Sequence, residues 1–264
     1  MSGSGNDFVM VDARRTPPGE LGEPAVISSI CARGTGIGAD GIVFLMPSDR
    51  ADIKLVYLNS DGSVADLCGN ATLCTTRLAS RIGAAKASGM TIETGAGVLR
   101  SRILPNGNPE VDLDEVVDIR PAMSAIPLKG DERRVGFAKA GIPHLTIEVS
   151  DVSTVDVVGR GRPLRSDPAV GPEGANVNFI SPTGDGWRIR TYERGVEGET
   201  LACGTGAVAS AILIRSWTPS IAPVGLTTKS GRTLTVRLEK TERGFKPSLS
   251  GEAKLVFEGR FGEL

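Results

Sequence analysis

Leu201-Ala-Cys-Gly-Thr-Gly-Ala207 runs directly into the apolar segment 208–214, and most of the architecture can be inferred by starting here. A cysteine followed by Gly-Thr-Gly and then by helix-forming residues predicts a thiol at the N-terminus of a helix. The first turn of a helix leaves backbone N–H groups unpaired and carries the positive end of the helix dipole. We therefore expect the pKa of Cys203 to lie below the usual value of about 8.5. The glycines would let a ligand carboxylate approach those N–H groups closely.

The first half of the chain contains a second stretch of the same form, Asp66-Leu-Cys-Gly-Asn-Ala-Thr-Leu-Cys74. In each half a strand-like run, 56–59 or 190–193, leads into a polar loop with glycine and then into Cys-Gly and a helical segment. The second loop is longer by one residue. Each helix is followed by a hairpin signal, at 91–99 and at 227–236. Because the type and spacing of three elements repeat together, we predict two halves of similar fold.

The helix after Cys68 has one apolar face and a good stop at Gly83, whereas the helix after Cys203 is apolar nearly all round, as expected of a helix wrapped by a sheet. The predicted fold class is α+β, with two pseudo-symmetric halves that each wrap a mostly antiparallel sheet around a central helix. The predicted halves are 1–116, carrying Cys68, and 117–264, carrying Cys203, with 117–123 as the linker and the last strand able to return to the first half. Most other segments are predicted as strands, namely 41–46, 53–58, 91–102, 145–149, 176–180, 187–192, 226–238 and 254–257.

Composition narrows the class of protein. The 264 residues include 30 basic and 31 acidic side chains, which gives no case for nucleic acid or an anionic membrane as a partner. No apolar run is long enough to span a bilayer, and the first residues lack the features of a signal peptide. The four cysteines form no Cys-x-x-Cys pair, and the single histidine argues against a metal cluster. We predict a reduced, soluble, cytoplasmic protein that binds no metal.

Three further features have a plain interpretation beside a functional one. The glycines of 34–41 resemble a dinucleotide-binding loop, but that motif needs a strand before it and a helix after it. Here a helical segment, 26–33, comes first and a strand follows, so we predict a tight helix-to-strand turn. Cys31 and Cys74 are expected to be buried core thiols. His144 is either structural or part of the site. A single histidine is more often structural, and its position after a proline and the scarcity of other acid-base groups reduce that preference without reversing it.

Two thiols at equivalent helix ends indicate one site with paired acid-base groups. Such a pair suits proton exchange at a carbon stereocentre, where one thiolate removes the α-proton and the opposite thiol returns one. The α-proton of an amino acid is very weakly acidic, so concentrated N–H donors and a dry site are required. Since no lysine motif indicates a pyridoxal site, we expect chemistry without a cofactor.

The chain also resembles the diaminopimelate epimerase family, in stretches that follow one another along nearly its whole length. The stretches are Gly5-Asn-Asp-Phe8, Gly36-Ile-Gly-Ala-Asp-Gly41, Asn59-Ser-Asp-Gly-Ser63, Cys68-Gly-Asn70, Pro143-His144, Asn176-Val-Asn-Phe179, Glu193-Arg-Gly195, Glu199-Thr-Leu-Ala-Cys-Gly-Thr-Gly206 and Leu249-Ser-Gly-Glu-Ala-Lys-Leu-Val-Phe-Glu258. The resemblance implies a cofactor-independent enzyme that interconverts LL- and meso-diaminopimelate in lysine and cell-wall precursor biosynthesis. The implied partner is this small amino acid substrate, while composition and the lack of a long apolar run indicate no nucleic acid and no membrane. A homodimer is the assembly we consider, although the sequence does not decide it.

Carried over residue by residue, the resemblance makes Cys68 and Cys203 the acid-base pair, with His144 and Glu193 holding the reacting amino group or supporting the thiolates. Arg194 would bind the distal carboxylate of the substrate. The remaining substrate-binding positions are Asn6, Asn59, Gly69, Asn70, Asn176, Gly204 and Thr205, and Glu193 is counted among them as well.

Several positions depart from the family pattern. Ile142 stands where the family often has asparagine, and Ala71 and Leu73 stand where glycine and arginine are usual. Because no departure touches the cysteines, the reaction type is better supported than the substrate. Two alternatives therefore stay open: a racemase of another amino acid on the same scaffold, and a non-catalytic relative of the fold.

Overall fold

The computed structural model describes residues 1–220 and 222–262. Its helices are α1 (Pro24–Cys31), α2 (Gly69–Arg81), α3 (Val157–Arg165) and α4 (Gly204–Trp217). Its strands are β1 (Ser2–Gly3), β2 (Asn6–Asp12), β3 (Gly41–Met46), β4 (Ile53–Asn59), β5 (Val64–Ala65), β6 (Met90–Thr94), β7 (Gly97–Ile103), β8 (Pro109–Asp112), β9 (Ile119–Arg120), β10 (Arg134–Ala140), β11 (Ile142–Glu148), β12 (Asn176–Pro182), β13 (Trp187–Glu193), β14 (Gly198–Thr200), β15 (Val224–Thr227), β16 (Thr233–Lys240), β17 (Phe245–Ser250) and β18 (Ala253–Lys254).

The chain divides into two compact units. The first unit is Met1–Asp112 together with the C-terminal segment from Ser250, and the second unit is Leu113–Leu249. The division lies a few residues before the expected one between 116 and 117. The C-terminal segment belongs to the first unit because β18 pairs antiparallel with β1.

The sheet of the first unit follows a simple order. β2 and β3 are parallel neighbours, β3 pairs antiparallel with β4, and β4 pairs antiparallel with β5 and parallel with β6. β6, β7 and β8 continue as antiparallel neighbours. α1 lies in the connection from β2 to β3, and α2 lies in the connection from β5 to β6.

The second unit repeats this order. β11 and β12 are parallel, β12 pairs antiparallel with β13, and β13 pairs antiparallel with β14 and parallel with β15. β15 and β16 form an antiparallel hairpin. α3 and α4 occupy the same places in the order as α1 and α2. Two halves of similar, mostly antiparallel α+β fold are therefore confirmed.

The central helix of each unit is the most buried one. In α4 every residue from Gly206 to Ile214 is buried, and the helix packs on β10, β11, β12 and β16. A helix that is apolar on all sides is stable only when it is covered on all sides. α2 packs on β3, β4, β7 and β8, and its apolar and hydroxyl side chains are likewise buried. Each fully buried Leu or Ile contributes about 1.5–3 kcal/mol relative to exposure.

The other two helices cover the opposite faces of the sheets. α1 contributes Ile27, Ile30 and Cys31 to a core shared with β3 and β4. α3 contributes Val157 and Leu164 to a core shared with β11, β12 and β13. Each sheet is therefore enclosed by two helices, one on each face, which hold the strand ends and helix N-termini in fixed positions.

The glycine-rich stretch after α1 is the predicted helix-to-strand turn. α1 ends at Cys31 and β3 begins at Gly41. At Gly36 an added Cβ would lie 2.2 Å from the carbonyl oxygen of Ser29, so glycine is required by the close approach of the backbone to the helix end.

Several segments differ from the prediction, and among them are β2, β8, β10 and β17, which were not expected as strands. The expected linker 117–123 contains β9, which pairs antiparallel with β10. The Arg120 guanidinium also lies over the ring of Phe137 at 3.7 Å, and this contact helps to hold the segment on the second unit. The strand expected at 254–257 is only β18, which ends at Lys254. α3 was not predicted, since its sequence contains Pro163 and two glycines, which are poor helix formers.

Candidate active site

Cys68 is the residue that precedes α2 and caps it. Its backbone is extended, with φ −132° and ψ 114°, and its carbonyl oxygen accepts the first helical hydrogen bond from the Thr72 N–H at 2.9 Å. Gly69 and Asn70 form the start of the helix, so their N–H groups belong to the unpaired first turn. The Cys68 thiol is half-buried at this electropositive end.

A chain of hydrogen bonds leads away from the start of α2. The Asn70 side-chain amide donates to Asn6 Oδ1 at 2.6 Å, and the Asn6 amide donates to Asp40 Oδ2 at 2.8 Å. The other oxygen of Asp40 accepts from Arg33 Nη2 at 2.9 Å, and Arg33 also forms a bidentate pair with Asp7. Burial alone would raise the pKa of Asp7, but the hydrogen bonds and charge of Arg33 outweigh it and lower that pKa.

The hydrogen bonds from Asn70 through Asn6 to Asp40 fix the orientation of the buried Asn70 side chain. The Asn70 amide nitrogen is occupied by Asn6, while its Oδ1 is buried and has no hydrogen-bond partner among the described residues. A buried acceptor without a partner costs about 1–3 kcal/mol. The Asn70 oxygen is therefore suited to accept a hydrogen bond from a ligand.

Asn59 lies at the end of β4 and binds within its own loop. Its side-chain amide donates to Ser63 Oγ at 3.0 Å, and Ser63 in turn is held by Asp61. The described contacts thus place Asn59 in the turn that leads towards Cys68, apart from the Asn70–Asn6–Asp40 chain.

Cys203 stands in the same position at the start of α4. Its φ of −136° and ψ of 112° are close to those of Cys68, and its carbonyl oxygen accepts from the Ala207 N–H at 3.0 Å. The thiol is buried, and its sulfur accepts from the Gly206 N–H at 3.4 Å and lies 3.6 Å from Thr205 Oγ1. A sulfur that faces helical N–H groups is stabilised as a thiolate.

Asn176 connects this thiol to the end of β13. Its amide nitrogen lies 3.9 Å from the Cys203 sulfur, and its Oδ1 accepts from the Arg194 N–H at 2.8 Å. The Arg194 guanidinium donates to the carbonyl oxygen of Glu173 at 2.7 Å. Glu193 is the half-buried last residue of β13, opposite Gly198.

His144 is fully buried in β11, directly beside Asn176 in the parallel register. Its Nδ1 lies 3.3 Å from the side-chain nitrogen of Asn178, and its Nε2 has no hydrogen-bond partner among the described residues. Burial, together with the positive charge of Arg194, lowers the pKa of His144 from 6.5 to about 3. The imidazole is therefore neutral at physiological pH.

The other two cysteines have a different environment. Burial raises the pKa of Cys74 to about 12, and burial with the nearby charges of Asp7 and Asp40 raises the pKa of Cys31. Both thiols stay protonated near neutral pH, as expected of core residues.

The residues that depart from the family pattern lie in two kinds of place. Ala71 and Leu73 are fully buried on α2, where they pack in the core of the first unit. Ile142 is the half-buried first residue of β11, opposite Ala140.

Taken unit by unit, the structure brings most of the predicted site residues together. Cys68, Gly69, Asn70 and Asn6 form one connected group in the first unit. Cys203, Gly204, Thr205, Asn176 and Arg194 form another in the second, with His144 beside Asn176.

The sequence analysis missed three residues that hold these groups, Arg33, Asp40 and Asn178. Two of them, Asp40 and Asn178, lie inside motifs that were recognised.

Two negative findings concern the described part of the chain. Within residues 1–220 and 222–262, no group of three or more His, Cys, Asp or Glu side chains is arranged to hold a metal ion. Over the same residues, no helix combines the length and the apolar character needed to cross a membrane.

The fold is shared with solved proteins of low sequence identity. A phenazine biosynthesis protein of the PhzF family from Bacillus anthracis superposes with a TM-score of 0.69 at 16% identity, over 95% of this chain and 91% of that protein. A hydroxyproline epimerase from Agrobacterium vitis superposes with a TM-score of 0.59 at 16% identity, over 90% of this chain and 79% of that protein. At these identities the likeness defines the class of fold, a protein of two similar α+β units.

Sequence relatives specify the family. The family model described as diaminopimelate epimerase matches residues 1–119 and 136–256. A diaminopimelate epimerase of Gemmatimonas aurantiaca is 52% identical, over 100% of this chain and 98% of the relative. A diaminopimelate epimerase of Aquifex aeolicus is 38% identical, over 100% of this chain and 96% of the relative. The chain belongs to the diaminopimelate epimerase family.

Proposed function

We propose that this chain is an isomerase that converts LL-2,6-diaminopimelate to meso-diaminopimelate without a cofactor, by acid-base chemistry of Cys68 and Cys203. The reaction serves lysine and cell-wall precursor biosynthesis. The observation that carries the proposal is the repeated helix start: in each unit a cysteine precedes the central helix, with backbone angles that differ by only a few degrees.

The chemistry follows from what a helix start offers. One thiolate takes the α-proton, so that a C–H bond breaks and an S–H bond forms, and the carbanion charge spreads onto the α-carboxylate. The opposite thiol then gives its proton to the other face of the carbon, which inverts the centre. N–H groups of Gly69, Asn70, Gly204 and Thr205 stabilise the carboxylate as its charge rises.

The remaining side chains select the substrate. Asn6, Asn59 and Asn176 supply amide groups, and Arg194 supplies a guanidinium for the distal carboxylate. Glu193, at the end of β13, and the buried His144 support the reacting end of the substrate.

A second candidate function is racemisation of another amino acid on the same scaffold. The observation that favours it is Ile142, whose apolar side chain at the start of β11 offers no hydrogen bond to a distal polar group. Such an enzyme would use the same two thiols.

An α-proton exchange assay in deuterated water, run on a panel of amino acids, separates these functions. We expect diaminopimelate to exchange fastest by a wide margin, and lysine, which lacks the second carboxylate, to exchange about a thousandfold more slowly, because an unpaired charge in a closed site costs several kcal/mol. Equal rates for lysine and diaminopimelate would favour the second candidate, and no exchange with any substrate would favour a non-catalytic relative.

Location and assembly complete the proposal. Membership of a biosynthetic family favours a cytoplasmic enzyme, and the expected assembly is a homodimer. Sedimentation at catalytic concentrations tests the assembly, and a monomer that remains fully active would remove the homodimer from the proposal.

A further inference from the structure

Asn178 lies at the centre of β12 and is fully buried, although the mechanism above does not use it. Its neighbours in the register are Thr146 on β11 and Thr191 on β13. The side chain contacts both neighbouring strands, β11 and β13. It also approaches the helix start, since a Cβ added at Gly206 would lie 2.5 Å from Asn178 Oδ1. A buried amide in such a place is expected to have every hydrogen bond satisfied.

The orientation of this amide is fixed by an acceptor that cannot donate. The carbonyl oxygen of Leu145 lies 3.1 Å from one terminal atom of the Asn178 side chain, so that atom must be the nitrogen. On the other side the hydroxyl of Thr191 donates to Asn178 Oδ1 at 2.9 Å. The amide therefore points its NH2 group towards β11.

The amide nitrogen carries two hydrogens. One is directed to the Leu145 carbonyl, and the other is available to Nδ1 of His144, 3.3 Å from the nitrogen. A third polar neighbour, Thr146 Oγ1, is more distant at 3.5 Å and lies 3.2 Å from Ser210 Oγ. Because the amide donates, His144 Nδ1 must offer a lone pair, and in a neutral ring the proton then resides on Nε2.

We infer that Asn178 is a positioning residue that holds His144 as the Nε2–H tautomer, so that His144 donates a hydrogen bond to an anionic oxygen of the ligand. The buried Nε2 has no partner among the described residues, which leaves its hydrogen for a bound molecule. An ammonium group has no lone pair to accept this hydrogen, whereas a carboxylate oxygen does. The resemblance allowed His144 to hold the reacting amino group, and this tautomer excludes that role.

The charge around the ring agrees with a neutral donor. The cationic group that acts on His144 is Arg194, and its field together with burial disfavours a second proton on the ring. The identification of the acceptor as a carboxylate rests on the proposed function, because that function makes the ligand an amino acid. The tautomer itself does not depend on the ligand.

The tautomer is directly measurable, since the chain has a single histidine. Long-range 1H–15N correlation spectra of the 15N-labelled ligand-free protein should show a protonated Nε2 and an unprotonated Nδ1 at pH 7.5. A protonated Nδ1 in the wild-type protein would overturn the inference whether or not any variant folds.

Two variants separate the action of Asn178 from general disruption of the core. Asn178→Asp replaces the donor by a carboxylate that only accepts, so a proton should appear on Nδ1. Thr191→Val removes a hydrogen bond from the same amide but leaves its contact with Leu145, so the wild-type tautomer should persist. An Asn178→Asp protein with unprotonated Nδ1, or a Thr191→Val protein with a changed tautomer, would contradict the assignment.

The ligand is tested by adding diaminopimelate at increasing concentration to the labelled protein. We expect the Nε2–H proton to move downfield on binding, as it does when a carboxylate accepts, while Nδ1 stays unprotonated. Loss of the Nε2–H signal or protonation of Nδ1 on binding would overturn the donor role. If diaminopimelate does not bind at all, the proposed function and the carboxylate acceptor fail together, and the spectra of the ligand-free proteins still decide the role of Asn178.

Discussion

The four cysteines of the chain occupy two kinds of environment. Cys31 and Cys74 are surrounded by core side chains, which raises the pKa of both thiols. Cys68 and Cys203 precede helices, where the first-turn N–H groups and the helix dipole favour a thiolate. The position of each cysteine in the fold, rather than the residue type, therefore sets the environment of its thiol.

Alanine substitutions should expose this difference. Cys68→Ala and Cys203→Ala should each reduce diaminopimelate epimerisation by several orders of magnitude, because no proton can then be delivered to one face. Cys31→Ala and Cys74→Ala should keep most of the turnover and lose about 0.5–3 kcal/mol of stability. The measurements are steady-state turnover and urea unfolding, and a Cys74→Ala protein that is folded but inactive would contradict the assignment.

The buried His144 predicts a pH dependence of stability. Its pKa is about 3 in the folded chain and about 6.5 when unfolded. Between those values the unfolded state binds more protons, so the free energy of unfolding falls as the pH falls, by up to about 1.4 kcal/mol per pH unit. The stability advantage of the wild type over His144→Gln should therefore shrink by about 2 kcal/mol between pH 7 and pH 5 in urea unfolding. Parallel stability curves would show that His144 titrates normally.

Single side chains also mark the limit of the sequence analysis. Burial of Cys31 and Cys74 was predictable, because both lie among apolar residues at helical spacing. The protonation state of His144 was not, since it depends on Asn178, which approaches it only when β11 and β12 pair in parallel. The local sequence pattern does not indicate which two strands pair.

Among the elements, the start of α2 shows how the chain holds a helix end in place. Asn70 on the helix, Asn6 on β2 and Asp40 before β3 are linked by consecutive hydrogen bonds. Asp40 also accepts from the Asp7 N–H at 3.2 Å and from Arg33. One carboxylate therefore holds two backbone segments and the side-chain amide of Asn6.

Replacing that carboxylate should misplace the helix start without unfolding the protein. Asp40→Asn puts an NH2 group against either Asn6 or Arg33, both of which donate. Turnover should fall about tenfold to a hundredfold, since a small misplacement of a site has effects of that size. Steady-state kinetics measure the turnover, and thermal unfolding checks that the variant is folded. Unchanged turnover would show that the hydrogen bonds linking Asn70, Asn6 and Asp40 do not affect catalysis.

A matched control lies at the end of β2, the strand that carries Asn6. Asp12 pairs with Arg14 at the end of β2 on the surface, and exposed pairs contribute about 0–1 kcal/mol. Asp12→Asn should leave turnover near the wild-type value. The double variant Asp40→Asn/Asn70→Ala should lose less turnover than the product of the two separate losses, because both substitutions break the same series of hydrogen bonds through Asn6.

The elements that the sequence predicted best are those with strong local signals. The two hairpins and the helices after Cys68 and Cys203 are found as expected. α3 was missed, because tertiary contact overrides its low helix propensity: at Gly161 an added Cβ would lie 2.6 Å from the Tyr192 Cβ, so glycine allows the helix to approach the sheet. Its Asp156 cap, which accepts from the Gly159 N–H at 2.9 Å, was the available signal.

For the molecule as a whole, the repeat explains why one sequence contains two cysteines in the same backbone conformation. The strand order and the direction of each pairing recur from β2–β7 to β11–β16. The sequence predicted this from the spacing of Cys-Gly and the hairpins. It also left the last strand able to return to the first half, but it did not specify β1 as the partner, since a two-residue pairing leaves no periodic pattern.

The repeated unit makes a prediction about stereochemistry. In a two-base mechanism each cysteine serves one face of the α-carbon, and serine at either position still donates a proton but is a far weaker base near pH 7. Cys68→Ser and Cys203→Ser should each lose epimerisation but retain elimination from a substrate with a β-leaving group, and each should do so for only one stereoisomer. The stereoisomer should be opposite in the two variants.

Elimination is followed as release of the leaving group from each pure stereoisomer, with Cys31→Ser as the matched control that accepts both. The same control should also retain epimerisation. Cys31, the last residue of α1, is buried in the core of the first unit, so its side chain is not expected to exchange a proton with the substrate. If Cys68→Ser and Cys203→Ser processed the same stereoisomer equally well, a single base would serve both faces of the carbon. One unit would then contain the whole acid-base function, and the repeated backbone conformation at the second helix start would have to be explained by anion binding alone.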